Sequence, residues 1–122
     1  MTTLKPEQTL QLVRLMDERY ARERREIDTI TMRSLQERGQ AASAGPAADR
    51  LDVAMADTAM ATDDAMVRQN MQDMRDIDAA RKRLASGSYG ICIDCGEPVG
   101  FERLLAYPTA KRCIECQRLH EQ

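Results

Sequence analysis

Tryptophan is absent from these 122 residues, and aromatic residues of all kinds make up only 3% of them. A compact core of this size ordinarily draws much of its buried area from large rings. Without them the apolar share falls to Ala, Leu, Met and Ile, while 31% of the residues are charged. That mixture suits long helices with a narrow apolar seam and wide solvated flanks. An excess of one charge is also missing: 18 basic against 20 acidic residues leave a net charge of −2. Non-specific nucleic-acid binding, which shows as a strongly basic domain, has no footprint here, and no sequence-specific DNA binding is expected. No apolar run approaches the roughly 18–20 residues of a membrane span, and the opening MTTLKPEQTL has no apolar signal core. A cytoplasmic protein with no membrane partner is the expectation. There is one histidine, no Gly-rich phosphate loop and no nucleophile–base arrangement, so no enzyme is expected.

Helix breakers are scarce as well. From Pro6 to about Gln40 the only glycine is Gly39, and Pro6 suits a first helical turn, where its missing N–H costs nothing. Val13, Met16, Tyr20, Ile27 and Ile30 recur at three- and four-residue steps, with Leu10, Leu12 and Leu35 off that seam and Glu23 interrupting it. About 35 residues at 1.5 Å each make a helix of roughly 50 Å. The small-residue stretch from Gly39 to Ala48 contains Gly45-Pro46, a strong breaker. Asp49 then reads as a helix N-cap, with the carboxylate of Asp52 also favourable near the positive helix end. The second helix should run to about Ala85, before Ser86-Gly87-Ser88, with two seven-residue series: Met60, Val67, Met74 and Asp63, Asn70, Ile77, Leu84. If the chain reverses near residue 45, Val13 faces Ile77, Met16 faces Met74, Ile30 faces Met60, and Asn70 faces Tyr20. The predicted fold class is therefore mainly all-α: a long antiparallel coiled-coil helical hairpin over residues 1–87, its tip near 43–54. A small separate domain with a short terminal helix fills 88–122.

All four cysteines fall in that last segment, as Cys92-Ile93-Asp94-Cys95-Gly96 and Cys113-Ile114-Glu115-Cys116. Two CxxC pairs at this separation have the spacing of a tetrahedral structural zinc site. Two residues between ligands let a tight knuckle aim both sulfurs at one ion, and Gly96 can adopt the left-handed backbone that follows the second ligand. Four thiolates fill the coordination shell, so the one Zn²⁺ expected is structural, with no position for a catalytic water. Arg103, Lys111, Arg112 and Arg118 can offset the roughly −2 charge of such a centre. His120, four residues after Cys116, is not needed as a ligand.

The stretch YGICIDCGEPVGFERLLAYPTAKRCIECQ, from Tyr89 to Gln117, resembles the DksA/TraR C4-type zinc-finger family. Tyr89, Gly90, Val99, Gly100, Arg103, Leu104, Ala106, Pro108 and Ala110 fit its pattern in addition to the cysteines. Longer DksA-like members carry a coiled-coil tip with an Asp-x-x-Asp-x-Ala motif, and Asp49-Arg50-Leu51-Asp52-Val53-Ala54 matches it where the hairpin should turn. The resemblance implies a regulator of transcription initiation that binds RNA polymerase and inserts the tip, with Asp49, Asp52 and Ala54, into the secondary channel. A zinc-stabilised coiled-coil adaptor with another protein partner is the alternative. Members that respond to (p)ppGpp present basic residues around the finger and the end of the second helix. Here Tyr107, Gln117 and Asp76 stand in those places, so alarmone binding at that site is not expected.

Overall fold

In the computed structural model, residues 4–43 and 50–122 are described, with side chains at 4–39 and 60–122. Four helices account for most of the chain: α1 Pro6–Ser43, α2 Arg50–Ser86, α3 Phe101–Ala106 and α4 Ile114–Glu121. No strand forms among the described residues, only an isolated antiparallel bridge between Ile91 and Pro98. The architecture is all-α, as the scarcity of rings and the two long seams predict. Pro6 takes the first turn of α1, and the Gln8 side chain reaches back to accept the Lys5 backbone N–H at 2.9 Å, half of a capping box. α2 stops at Gly87, whose φ of 79° turns the chain left-handed while the Ser88 N–H donates to the Arg83 carbonyl.

Packing divides the chain into two units, one made of Met1–Tyr20 with Met74–Gln122 and the other of Ala21–Asp73. The first holds a continuous apolar core. Leu12 and Met16 of α1, Ile77 and Ala80 of α2, and Tyr89, Cys92, Val99 and Leu104 from the cysteine-bearing segment are buried together. Leu12, Met16, Ile77 and Leu104 are fully buried, each worth about 1.5–3 kcal/mol relative to exposure. Gly90 lies tight against this core, at φ 82°, and a Cβ there would sit 3.0 Å from the Leu4 side chain.

The second unit is thinner. Ile30 is buried, Ile27 and Val67 are half-buried, and Glu23 occupies the seam at 7% exposure, seven residues from both Met16 and Ile30. Polar pairs also cross between the helices here: Asn70 donates to the Glu26 carboxylate at 2.9 Å, and Arg33 pairs with Asp63 at 2.9 Å. In the first unit, Arg81 reaches Asp17 at 2.9 Å and lies 4.5 Å over the Tyr20 ring.

Two expectations are corrected by these contacts. Leu12 is not off the seam but fully buried, because the cysteine-bearing segment adds Tyr89, Val99 and Leu104 to the surfaces that α1 must cover. The register also differs. Asn70 meets Glu26 rather than Tyr20, and Tyr20 meets Arg81. Small and flexible Ala and Met side chains fit several registers about equally well; the directional polar pairs select one.

Candidate metal centre

The Tyr89–Gly100 segment folds into a knuckle. Cys92 N–H donates to the Glu97 carbonyl at 2.8 Å and Gly96 N–H to the Cys92 carbonyl at 3.0 Å, closing a tight loop around Cys92 and Cys95. Gly96 has φ 77°, the left-handed conformation anticipated for it. The second pair sits at the start of α4: Cys113 is the N-cap residue, and Gln117 N–H donates to its carbonyl at 2.9 Å. Cys116 lies in the first turn, where the partial positive charge of the helix end favours a thiolate.

These two knuckles bring the four sulfurs within 4.8 Å of one another, with Cys95 and Cys113 3.8 Å apart. A tetrahedron with Zn–S bonds of about 2.3 Å has an edge of about 3.8 Å, so the donor set fits one zinc ion. Electrostatics agree. Burial pushes the Cys92 thiol up, but the N–H groups of Cys113, Cys95 and Asp94 donate to its sulfur and pull it down to about 6. Cys116 goes the other way, pushed far up by the sulfurs of Cys113 and Cys95. One thiolate forms readily and the last is resisted by its neighbours. A bound divalent cation removes that conflict and deprotonates all four. His120, exposed on α4, is outside the group.

Contacts that spacing could not reveal hold the centre in place. The Tyr89 hydroxyl donates to the Pro108 carbonyl at 2.7 Å, and burial raises its pKa to about 12. Arg83 of α2 donates to the Thr109 carbonyl at 3.3 Å, and Arg103 to the Arg112 carbonyl at 3.1 Å. Arg112 in turn grips Asp94 at 2.7 Å. Of the four bases expected near the site, Arg103 and Arg112 are thus engaged in the finger itself, and Lys111 and Arg118 are exposed. Tyr107 is exposed, with Arg103 5.7 Å over its ring, and Gln117 bonds Glu121 at 2.8 Å. Asp76 lies exposed on α2. Asp49 lies outside the described residues; Asp52 and Ala54 belong to α2, with their side chains likewise outside.

Two long helices and a four-cysteine finger define a helical zinc-finger protein. Residues 87–122 match the prokaryotic dksA/traR C4-type zinc finger. Over 46 residues the chain is 50% identical to the RNA polymerase-binding transcription factor DksA of Caulobacter vibrioides, covering 38% of this chain and 32% of that protein. The Escherichia coli protein of the same name is 38% identical over 48 residues, 39% of this chain and 32% of that one. These matches span about a third of the relatives' length. The structure of transcription factor DksA2 from Pseudomonas aeruginosa extends the likeness, with a TM-score of 0.56 and 30% identity over 87% of this chain and 82% of that one. The chain belongs to the DksA/TraR family of C4 zinc-finger proteins. These relatives are named as transcription factors. Among the described residues no helix is long and apolar enough to cross a membrane.

Proposed function

We propose that this chain regulates the initiation of transcription by binding RNA polymerase in the cytoplasm, inserting an acidic-tipped coiled coil into the secondary channel. Family membership carries the reading, because the relatives sharing the finger bear polymerase binding in their names. The Asp49-x-x-Asp52-x-Ala54 pattern at the predicted turn supports the finer part. In this reading the zinc is structural: four thiolates leave it no open position, and its role is to hold the two cysteine knuckles together. Near-neutral charge argues against DNA as the partner. Tyr107, Gln117 and Asp76 offer little complementary charge to a multivalent anion, which argues against (p)ppGpp binding at those positions.

The test joins pull-down of bacterial RNA polymerase core enzyme with transcription in vitro from an unstable promoter. The wild-type chain should co-purify with polymerase and change the yield of initiated transcript. The Asp49→Asn/Asp52→Asn double variant should bind equally and regulate no longer. Asn caps a helix about as well as Asp, and the loss of one terminal charge costs at most roughly 0.3–1 kcal/mol. A thermal melt therefore stays near that of the parent. Failure to retain polymerase would favour the adaptor reading, and full regulation by the double variant would leave the two aspartates as helix caps alone.

A further inference from the structure

The two knuckles are made by chain segments about twenty residues apart, and each must hold its sulfurs still for the other. Two of the links that join them lie beside the sulfurs. Ile93, inside the first CxxC, donates its N–H to the carbonyl of Lys111 at 2.9 Å. The neighbouring side chain makes the second: the Asp94 carboxylate accepts from Arg112 Nε at 2.7 Å. Asp94 lies between Cys92 and Cys95. Arg112 immediately precedes Cys113 and is only 13% exposed, against 46% for Asp94. Its carbonyl is held by Arg103, whose guanidinium lies 5.7 Å over the Tyr107 ring. A half-buried cation is thus fixed at the junction of two thiolate-bearing loops, where a four-thiolate zinc centre concentrates negative charge.

We propose that the Asp94–Arg112 pair is the latch of the zinc centre, holding the two knuckles together and setting how fast the ion is released. Asp94 and Arg112 are positioning residues that act through the cysteines and do not touch the metal. The inference rests on the zinc centre and is independent of polymerase binding.

The experiment uses the full zinc-loaded chain, with transfer of Zn²⁺ to a chromogenic chelator followed over time. Outer partners of metal ligands typically change metal affinity about 10–100-fold, so Arg112→Gln should speed release about tenfold or more. Asp94→Asn should speed it less, since Arg112 keeps its charge, and should add nothing in the Arg112→Gln background. Arg112→Lys, which preserves the charge without the Nε donor, should fall between wild type and Gln. Cobalt-loaded variants should keep the wild-type thiolate-to-metal absorption, because the four ligands are unchanged. Release by Arg112→Gln within about twofold of wild type would overturn the latch, set against that expected range. So would single-variant effects that multiply in the double variant, which would mean that the residues act separately. Should Arg112→Gln fail to load zinc, Asp94→Asn alone decides by the same twofold limit.

Discussion

In the unit built from Met1–Tyr20 and Met74–Gln122, α1 and α2 contribute Leu12, Met16, Ile77 and Ala80 to a core completed by the cysteine-bearing segment. The unit Ala21–Asp73 is built from the remaining parts of the same two helices, and Ile30 is its buried apolar residue among the described side chains. There the seam admits a buried glutamate and relies on polar pairs such as Arg33–Asp63 and Glu26–Asn70. Pairs at this level of exposure contribute roughly 0–1 kcal/mol each, whereas a buried leucine contributes about 1.5–3 kcal/mol. Burial therefore concentrates stability in the unit that holds the cysteines. The polar unit obtains from its contacts a defined register more than strength.

Removing the metal should widen that contrast most. Structural zinc sites contribute on the order of 10–16 kcal/mol in finger peptides, inseparable from their folding. Chelation should unfold the segment after Gly87 and uncover Leu12, Met16, Ile77 and Ala80, detectable as hydrogen exchange at both the start of α1 and the end of α2. Much of the helical dichroism should survive, since α3 and α4 have six and eight residues against 38 and 37 in α1 and α2. Unchanged exchange around Leu12 after chelation would separate the α1 start from the finger.

Cavity-forming substitutions should show the same asymmetry at smaller scale. Leu104→Ala, at a fully buried position, should cost about 2–5 kcal/mol in denaturant unfolding. Val67→Ala, at a half-buried position in the polar unit, should cost less than about 1 kcal/mol, below the range for well-packed sites. Equal losses would mean that the polar unit is packed as tightly around Val67 as the other unit is around Leu104.

A smaller effect than that of Leu104→Ala is expected at Tyr89, and pH sharpens it. Tyr89→Phe removes the hydrogen bond to the Pro108 carbonyl, at a cost of about 1–2 kcal/mol. Burial holds the folded pKa near 12 against an ordinary 10.0. Between those values the unfolded chain gives up the phenolic proton first, so the contribution is intact below pH 10 and is lost as pH rises towards 12. Wild type should lose more stability than Tyr89→Phe over that interval, and parallel curves would deny the shift.

Much of this was legible in the residues because the signals are local. Pro6 opens α1, and Gly87 closes α2 within two residues of the expected end. Two-residue ligand spacing was enough to bring the four sulfurs together, since each knuckle is a short, self-contained loop. Longer-range features were not legible. Leu12 shares a helix face with Met16, four residues on, but how deeply it is buried depends on residues from the other end of the chain. The register escaped because Met and Ala tolerate sliding, and only a specific pair such as Arg33–Asp63 breaks the tie. α3, at six residues, is too short to build a periodic signal of its own. In the sequence Arg112 is one of four bases that balance the zinc centre, and only the fold shows that it pairs with Asp94 at 2.7 Å.

The shared core also has a consequence for synthesis. Leu12 and Met16 leave the ribosome first, yet their partners Ile77, Tyr89 and Leu104 follow roughly 60–90 residues later. At about 5–20 residues per second, the apolar strip of α1 waits on the order of 3–20 s for anything to cover it. Zinc capture comes later still, because Cys113 and Cys116 are the last ligands to emerge. The newborn chain therefore passes through an interval with a bare helix face and an unfinished metal site, open to chaperones and proteases alike, and arrival of the ion ends it.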